Sequence, residues 1–359
     1  MYMVTLKDYE EKIEKLVLKL KNDKKPIVLF GTAHMGLVAK KTLEFLGSNP
    51  TYFCDNNKTI QGTTVESLLV ISPQQIAEEH PDANIFICSF NKRARSQLKK
   101  QLSSLGLSNI HSIDILLYVY FIKLVKRNVR AEDFLDTIHK VFNEGESDEE
   151  LVINLMGLVI TQRCSLKCRD CGSLMQYYQS PYHYDIDMII MQIKRLSEAA
   201  DVIGRVDIVG GEPFLHPNLV EICKEISRIP NILMAQVVTN GTILPSEETI
   251  RELGECGILV TISDYEELST KKLEIIKACE KNGVCIWTDV KPSGWTDMGS
   301  LDSCNRTMDE NIKIYQNCTA RIDCNSLQNG EYHLCPRSSH AAVLGAVPKI
   351  EGEYVNILD

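Results

Sequence analysis

The stretch Cys164-Ser165-Leu166-Lys167-Cys168-Arg169-Asp170-Cys171 places three thiols within eight residues, with three and then two residues between successive cysteines. The apolar run Leu155–Ile160 precedes it and indicates a buried strand, because it is short, uncharged and rich in branched side chains. We therefore expect the thiols on a loop at a strand end, close enough together to hold one inorganic cluster. Three thiolates on a four-iron cluster leave one iron without a protein ligand, and such an iron can bind and activate a small molecule.

Zinc binding is another explanation for a group of thiols. A structural zinc ion usually takes four ligands, often supplied by two C-x-x-C pairs. The chain has one such pair, Cys168 with Cys171. The triplet therefore favours an iron–sulfur cluster, with zinc or surface thiols that bind nothing as the alternatives.

A second motif, Gly210-Gly211-Glu212-Pro213, follows the next predicted strand, 205–209. Two glycines allow backbone carbonyls to approach an ammonium group, the Glu212 carboxylate adds a negative charge, and Pro213 stiffens the turn. Taken alone, this motif is a common turn. Its position one strand after the thiol triplet makes the combination of the two motifs specific.

With both motifs in place, residues 150–340 resemble the radical S-adenosylmethionine (radical SAM) superfamily. The resemblance implies that Cys164, Cys168 and Cys171 hold a [4Fe–4S] cluster at which S-adenosylmethionine is reductively cleaved, and that the 5'-deoxyadenosyl radical takes hydrogen from a substrate carbon. No side chain is singled out as catalytic. The resemblance also implies cofactor-binding roles at strand ends, with strand-end capping as the alternative for the last four residues: Gly210, Gly211, Glu212, Pro213, Thr239, Asn240, Ser263 and Asp264.

Strand and helix patterns alternate from the triplet onward. Short apolar runs end at the motifs and are separated by segments with helical spacing, such as 186–199 and 271–281. This repetition predicts a parallel sheet. We expect residues 151–300 to form a partial (β/α)6 barrel of the TIM type, with its chemistry at the carboxyl ends of the strands.

The N-terminal part begins with a helical pattern and then shows a strand at 26–30, a glycine turn at 31–36, a helix, and a strand at 51–54 that ends at Asp55. This order resembles the Rossmann dinucleotide fingerprint, with Asp55 at the position of the ribose-binding acid. The pattern departs from the fingerprint at Ala33, which replaces the second glycine. Two functions of the N-terminal part therefore remain open. It is either a domain with a nucleotide or nucleotide-sugar pocket or a docking domain that has lost its ligand.

The predicted fold class is α/β. Residues 1–120 are expected to form a Rossmann-like doubly wound domain, and 121–150 a helical linker with an acidic, glycine-containing end. The partial barrel follows, and a small Cys-rich extension, 301–359, completes the chain.

Four more cysteines lie in this extension, and Gly330 stands five positions before the last of them. The spacing resembles the opening of the auxiliary-cluster extensions called SPASM and twitch. It implies a second [4Fe–4S] cluster, with a structural zinc ion as the alternative. A β-hairpin is predicted here, with strands at 321–324 and 331–335 and a turn through Gln328-Asn329-Gly330. The four implied ligands are Cys304, Cys318, Cys324 and Cys335.

Composition limits the possible partners. The net charge of −9 argues against a general nucleic-acid-binding protein, which needs a basic face. No apolar run approaches the roughly 20 residues that a membrane span requires, and no signal peptide is visible, so a cytoplasmic protein without membrane contact is expected. The odd number of cysteines, 13, favours metal ligation over disulfides.

We therefore expect a radical SAM oxidoreductase or isomerase that acts on a sugar, an aminocyclitol or a nucleotide-sugar, since the appended N-terminal domain resembles those of sugar-modifying enzymes. A flavodoxin- or ferredoxin-type protein is the expected electron donor. Two other functions remain open at this point. The first is a maturase that modifies a ribosomally made peptide, and the second is a non-catalytic zinc or iron–sulfur scaffold.

Overall fold

The computed structural model describes most of the chain. Several predicted segments lie partly outside the described residues: both ends of the chain, the acidic end of 121–150, the end of the predicted barrel 151–300, and parts of the extension 301–359 that include 321–323 of the first hairpin strand. By its contacts the chain divides into two compact units, each with its own sheet. The described residues are 6–142, 150–290, 304–318 and 324–358.

The first unit comprises Met1–Glu150 and Glu255–Gly257 and contains a six-stranded sheet. Its strands are β1 (Ile27–Phe30), β2 (Tyr52–Cys54), β3 (Thr64–Val65), β4 (Leu68–Ile71), β5 (Asn84–Ile87) and β6 (Ile110–Ser112). They are arranged in the order β3-β4-β2-β1-β5-β6, in which all neighbours are parallel except β3 with β4. Every residue of β1 is buried, which suits an uncharged strand at the centre of a parallel sheet.

The helices of the first unit pack by apolar faces. In the first helix Tyr9, Ile13 and Leu20 are buried at helical spacing, and the Tyr9 hydroxyl donates to the Asp114 carboxylate at 2.8 Å. The segment predicted as a linker also packs within this unit, where it buries Phe134. The helical segments are α1 (Leu6–Asp23), α2 (His34–Phe45), α3 (Pro73–Glu79), α4 (Lys92–Ser104), α5 (Asp114–Tyr118), a π-helical segment (Val119–Leu124) and α6 (Ala131–Phe142).

The second unit comprises Leu151–Gly254 and Ile258–Asp359 and contains the larger sheet. Its strands are β7 (Val152–Ile153), β8 (Met156–Thr161), β9 (Val202–Gly210), β10 (Ile232–Thr239), β11 (Leu259–Asp264), β12 (Ile286–Val290), β13 (Asn325–Gln328), β14 (Glu331–His333) and β15 (Tyr354–Asn356). Six of them run parallel in the order β12-β11-β10-β9-β8-β13. This arrangement is consistent with the predicted partial barrel.

The helices of the second unit follow the strands in alternation. Most β/α steps place apolar residues of the helix against the sheet, as with the buried Ile189, Ile193 and Leu196. The helices are α7 (Ile186–Ala199), α8 (Leu219–Ser227), α9 (Glu247–Glu255), α10 (Lys272–Lys281), α11 (Met308–Asn317) and α12 (Pro336–Val343).

The predicted C-terminal hairpin is present as β13 and β14, which pair antiparallel, but its first strand is Asn325–Gln328, directly after the predicted 321–324. Asn329 and Gly330 form its turn with φ of +52° and +81°, the two positive values that a tight hairpin turn needs. The sequence did not indicate that β13 also pairs with β8, with Asn325 opposite Met156. The hairpin therefore extends the barrel sheet beside the strand that leads to the cysteine triplet.

Within the described part of the chain, no helix is both long and apolar enough to cross a bilayer.

Candidate cofactor site

A cavity of about 400 Å³ lies in the second unit. Part of its wall follows the carboxyl ends of β8, β9, β10 and β11, where parallel α/β folds place their chemistry. Several of the predicted site residues line it: Cys164, Cys168, Cys171, Gly210, Gly211, Asn240, Cys318, Cys324 and Cys335.

The two groups of cysteines lie at opposite ends of a strand pair. Cys164 follows the carboxyl end of β8, whereas Cys324 directly precedes β13, which runs parallel to β8. At about 3.3 Å per residue, the length of β8 alone separates the two ends by roughly 16 Å. The cavity is therefore elongated, with the triplet at one end and the C-terminal thiols at the other.

The thiols of the triplet are partly buried. Burial raises the pKa of Cys164 to about 11, and the nearby Glu212 carboxylate and the other two thiols contribute further to that rise. Burial also raises the pKa of Cys168. Metal ligation requires thiolates, and a bound cationic cluster would supply the positive charge that stabilises them.

The two glycines of the second motif allow two backbones to pack closely. A Cβ atom at Gly210 would lie 2.2 Å from the carbonyl oxygen of Thr161, and Gly210 has a φ of +147°. A Cβ atom at Gly211 would lie 2.1 Å from the carbonyl oxygen of Arg163 and 2.8 Å from the Cβ atom of Cys164. Only glycine fits these positions without a shift, so the second motif packs directly on the backbone that enters the triplet.

Glu212 is fully buried, and its carboxylate joins the ends of two strands. Oε1 accepts hydrogen bonds from the Thr239 hydroxyl at 2.8 Å and from the Phe214 amide at 3.1 Å, and Oε2 accepts one from the Asn240 amide at 2.8 Å. Burial raises the pKa of Glu212, and these three hydrogen bonds oppose the rise. Both oxygens are thus bonded within the protein, and binding of an amino group by Glu212 stays a prediction.

Asn240 lies between the triplet and the end of β10. Its Nδ2 donates to the Ser165 hydroxyl at 3.0 Å and lies 3.6 Å from the sulfur of Cys164, while its Oδ1 accepts from the amide and the hydroxyl of Thr242 at 3.0 and 2.7 Å. These contacts fix the orientation of the carboxamide. The structure thus brings the predicted strand-end residue Asn240 into contact with a triplet thiol.

Three further predicted cofactor residues, Pro213, Ser263 and Asp264, do not line the cavity. Pro213 is buried at the start of a 3-10 turn. The Asp264 carboxylate accepts from the amide of Glu266 at 2.9 Å and pairs with Lys272 at 2.6 Å, and the carbonyl of Ser263 lies 3.4 Å from the Ser269 hydroxyl. These are capping contacts at the end of β11, and a cofactor role for the three residues stays a prediction.

Three of the four C-terminal cysteines share the far end of the cavity. The pKa of Cys324 is raised by burial and, in addition, by the proximity of Cys335 and Cys318. Cys304, the fourth predicted ligand, is exposed and does not line the cavity. The structure therefore brings three of the predicted auxiliary ligands to the cavity wall, and a ligand role for Cys304 stays a prediction.

Tyr265 and Arg337 are among the lining residues that were not predicted as site residues. Tyr265 follows β11, and its pKa is raised to about 12, first by burial and further by the charges of the three triplet thiols. Arg337 lies on the first turn of α12. Tyr265 could have been suspected from its place after a strand end. Arg337, just after Cys335, could be read from the sequence either as a contact for an anionic or polar substrate or as part of a solvated loop.

The glycine turn of the first unit is built mainly by its own contacts. A Cβ atom at Gly36 would lie 2.0 Å from the carbonyl oxygen of Gly31 and 2.9 Å from the ring of Phe53, so glycine is needed for packing. Thr32 donates its hydroxyl hydrogen to the Asp55 carboxylate at 3.1 Å. Asp55 thus holds the turn, and its predicted contact with a ribose stays untested.

The donor set fits an iron–sulfur cluster by its chemistry, because thiolates are the ligands that such clusters prefer. Among the described ranges, no three His, Cys, Asp or Glu side chains lie close enough to hold a single metal ion. The three triplet thiols instead border one cavity end together with the bare backbone of Gly210 and Gly211. This leaves room beside the thiols for a group larger than one ion.

Comparison with known proteins agrees with this geometry. Residues 158–265 match the family model "Radical SAM superfamily", a region that runs from β8 to just beyond β11. The match supports placing this chain in the radical SAM superfamily. The matched region includes the triplet, the Gly210–Pro213 motif and Asn240, which are also the residues that the structure brings together.

Curated relatives of this chain include two proteins named GTP 3',8-cyclase. The one from Alkaliphilus metalliredigens (strain QYMF) is 29% identical over 180 residues, which cover 45% of this chain and 55% of that protein. The one from Clostridium perfringens (strain SM101 / Type A) is 27% identical over 180 residues, which cover 48% of each chain. The chain thus spans about half the length of the curated relatives it matches.

Solved structures with some similarity include that of BtrN in complex with AdoMet and 2-DOIA. It is 16% identical with a TM-score of 0.38, covering 54% of this chain and 76% of that chain. The structure of Streptococcus suis SuiB bound to S-adenosylmethionine is 13% identical with a TM-score of 0.32, covering 74% of each chain.

Proposed function

We propose that this chain is a radical SAM enzyme that binds a [4Fe–4S] cluster through Cys164, Cys168 and Cys171 and holds S-adenosylmethionine beside it. The observation that carries the proposal is the meeting of all three thiols with Gly210, Gly211 and Asn240 at one cavity end. When bound, the cluster would supply the electron for reductive cleavage of S-adenosylmethionine.

The side chains of the protein position the ligands of this reaction. Gly210 and Gly211 line the cavity, and their lack of side chains lets this turn pack on the backbone of Thr161 and Arg163, which leads into the triplet. Asn240, held by Ser165 and Thr242, presents a fixed carboxamide beside Cys164. The largely apolar lining limits water around a reactive radical, which would otherwise be quenched.

A second [4Fe–4S] cluster at Cys318, Cys324 and Cys335 is also proposed, as in a SPASM- or twitch-like extension. What supports it is the shared position of these three thiols at the far end of the same cavity. Cys304 would have to approach them to serve as the fourth ligand. A structural zinc ion in these thiols is the alternative, and metal analysis separates the two.

For the substrate, a sugar, aminocyclitol or nucleotide-sugar remains the sequence-based proposal, with oxidation or isomerisation as the reaction. The names of the curated relatives favour a second candidate, a purine nucleotide such as GTP, and a cyclisation rather than an oxidation or isomerisation. A ribosomally made peptide remains the third. Both small-molecule classes fit a cavity of about 400 Å³ better than a long peptide does.

The N-terminal unit is proposed to be Rossmann-like, because β1 lies at the centre of a parallel sheet and is followed by a glycine turn. A nucleotide at this turn would be contacted by the start of α2. A flavodoxin- or ferredoxin-type electron donor in the cytoplasm is proposed on the resemblance alone.

Anaerobic reconstitution with iron and sulfide tests the proposed function. We expect the reduced protein to show the electron paramagnetic resonance signal of a [4Fe–4S] cluster, and we expect S-adenosylmethionine to change it. Formation of 5'-deoxyadenosine should then be stimulated by the true substrate when GTP, nucleotide-sugars and peptides are compared. A signal that is insensitive to S-adenosylmethionine would contradict the proposal.

A further inference from the structure

The orientation of the Asn240 carboxamide is fixed by its neighbour Thr242. Asn240 lines the cavity, yet only 7% of the residue is exposed. A backbone amide can only donate, so the carboxamide atom that lies 3.0 Å from the Thr242 amide must be the oxygen, Oδ1. The Thr242 hydroxyl donates to the same oxygen at 2.7 Å. The nitrogen, Nδ2, is therefore on the side of the carboxamide that faces the triplet loop.

Both hydrogens of Nδ2 are used within the protein. One is donated to the Ser165 hydroxyl at 3.0 Å. The other is donated to the sulfur of Cys164 at 3.6 Å, a length that suits sulfur because its radius exceeds that of oxygen. A carboxamide has two donor hydrogens, so the direct partner of the second one is a predicted cluster ligand.

Cys164 receives a second N–H group as well. The amide of Leu166 donates to its sulfur at 3.4 Å, so a backbone donor and a side-chain donor converge on one thiol. The thiol is only partly exposed, and a hydrogen bond is electrostatically stronger in such a place than in water. These two bonds favour negative charge on this sulfur.

We propose that Asn240 raises the reduction potential of the cluster at the triplet by donating this hydrogen bond to the thiolate of Cys164. The inference rests on the proposed function. Reduction transfers one electron from the external donor to the cluster, and it makes the cluster and its thiolates more negative without forming or breaking a covalent bond. A donor to a ligand sulfur stabilises the reduced form more than the oxidised form. Asn240 is thus a positioning residue that acts through Cys164.

A redox titration followed by electron paramagnetic resonance tests this in the full-length, reconstituted chain. The signal that Cys168→Ala lacks belongs to the triplet cluster, so a second cluster does not confuse the assignment. Asn240→Leu keeps a branched side chain of similar size and removes both hydrogens. Asn218→Leu, at an exposed asparagine of the same unit, is the matched control.

We expect the equilibrium constant for reduction of the triplet cluster to fall about tenfold in Asn240→Leu, which is about 59 mV for one electron. The iron content should not change. Asn240→Asp keeps an acceptor for Thr242 but places a negative charge beside the sulfur, so its potential should fall further. Asn218→Leu should have the potential of the unaltered chain.

A second measurement needs no variant and covers the case in which Asn240→Leu does not bind the cluster. Asparagine side chains are labelled with the heavy nitrogen isotope in the unaltered chain, and the reduced triplet cluster is studied by pulsed electron paramagnetic resonance. We expect a hyperfine coupling to the labelled nitrogen, because an N–H···S bond transfers spin density from the cluster to its donor.

Two results would overturn the proposal: an unchanged or higher potential in Asn240→Leu, or no coupling to labelled nitrogen in the unaltered chain. Weaker binding of S-adenosylmethionine at an unchanged potential would assign Asn240 to the cofactor and would overturn it too. If the unaltered chain gives no signal that depends on Cys168, the proposed function fails together with this proposal. An altered Asn240 response alone leaves the proposed function intact.

Discussion

The backbone amide of Asn240 donates a hydrogen bond of 2.8 Å to the buried carboxylate of Glu212. This bond connects the ends of β9 and β10 behind the cavity and fixes the residue whose carboxamide faces Cys164. Glu212 therefore stabilises the structure of the site, and this role is independent of any contact that it makes with a cofactor.

Glu212→Gln should destabilise the protein. All three groups bonded to the carboxylate are donors, so an amide nitrogen placed among them leaves at least one buried donor without an acceptor. The expected loss in the free energy of unfolding is about 1–3 kcal/mol, measured by urea denaturation. Glu248→Gln, at an exposed glutamate, is the matched control and should change it by less than about 0.5 kcal/mol. Equal losses in the two variants would show that the buried carboxylate does not join the strand ends.

Gly211→Ala should impair cluster binding at the triplet. The added methyl group would collide with the Arg163 carbonyl and press on Cys164, so the loop must shift. We expect the iron content after reconstitution to fall by the amount of one cluster. Gly172→Ala is the control, because Gly172 lines the same cavity but a Cβ atom there meets nothing within 4 Å. Full iron content in Gly211→Ala would contradict the tight packing described here.

Cys335→Ala should remove the second cluster alone. Two [4Fe–4S] clusters give about eight irons per chain, and we expect about four in the variant. Because the triplet lies at the other end of the cavity, reductive cleavage of S-adenosylmethionine without substrate should continue. Iron analysis and 5'-deoxyadenosine assays measure the two effects. An iron content of about four in the unaltered chain would exclude the second cluster.

His340 should make stability depend on pH. It is fully buried, its Nδ1 lies 2.8 Å from the Tyr178 hydroxyl, and burial lowers its pKa from 6.5 to about 4. As the pH falls below 6.5, His340 takes up a proton in the unfolded chain before it does so in the folded protein. The stability that neutral His340 contributes is therefore fully present above pH 6.5 and is lost as the pH falls toward 4.

The slope expected from this histidine is up to about 1.4 kcal/mol per pH unit in that interval. Urea denaturation at pH 7, 6 and 5 gives the slope for the unaltered chain and for His340→Gln, which lacks the titrating ring. The variant should have the smaller slope, even though it is less stable at pH 7. Parallel slopes would show that His340 is accessible to protons in the folded state.

Much of the cofactor site could be predicted from local sequence. The triplet, the Gly210–Pro213 turn and Asn240 each stand at the end of an apolar strand pattern, and parallel strands bring such ends together. The hairpin turn was predicted correctly, because Asn329-Gly330 favours the positive φ values that it needs, but the first strand is Asn325–Gln328 instead of the predicted 321–324. The predicted position of one cluster site thus follows from patterns a few residues long.

Other features depend on contacts between distant residues. The pairing of β13 with β8 places Cys324 at the opposite end from Cys164, and no local pattern specifies a partner strand 170 residues away. The strand β4 and the helix α3 after it were not predicted, although the run Leu68–Ile71 and the capping box at Ser72 signal both. The exposure of Cys304 likewise depends on the tertiary fold.

Release of 5'-deoxyadenosine from S-adenosylmethionine tests the central claim most directly. The reconstituted, reduced protein is compared with Cys168→Ala and with Cys88→Ala, a buried cysteine of the first unit that serves as the control. We predict release by the unaltered chain and by Cys88→Ala, and none above background by Cys168→Ala. Undiminished release by Cys168→Ala, or no release by the fully reconstituted chain, would contradict the assignment of the triplet as the site of radical chemistry.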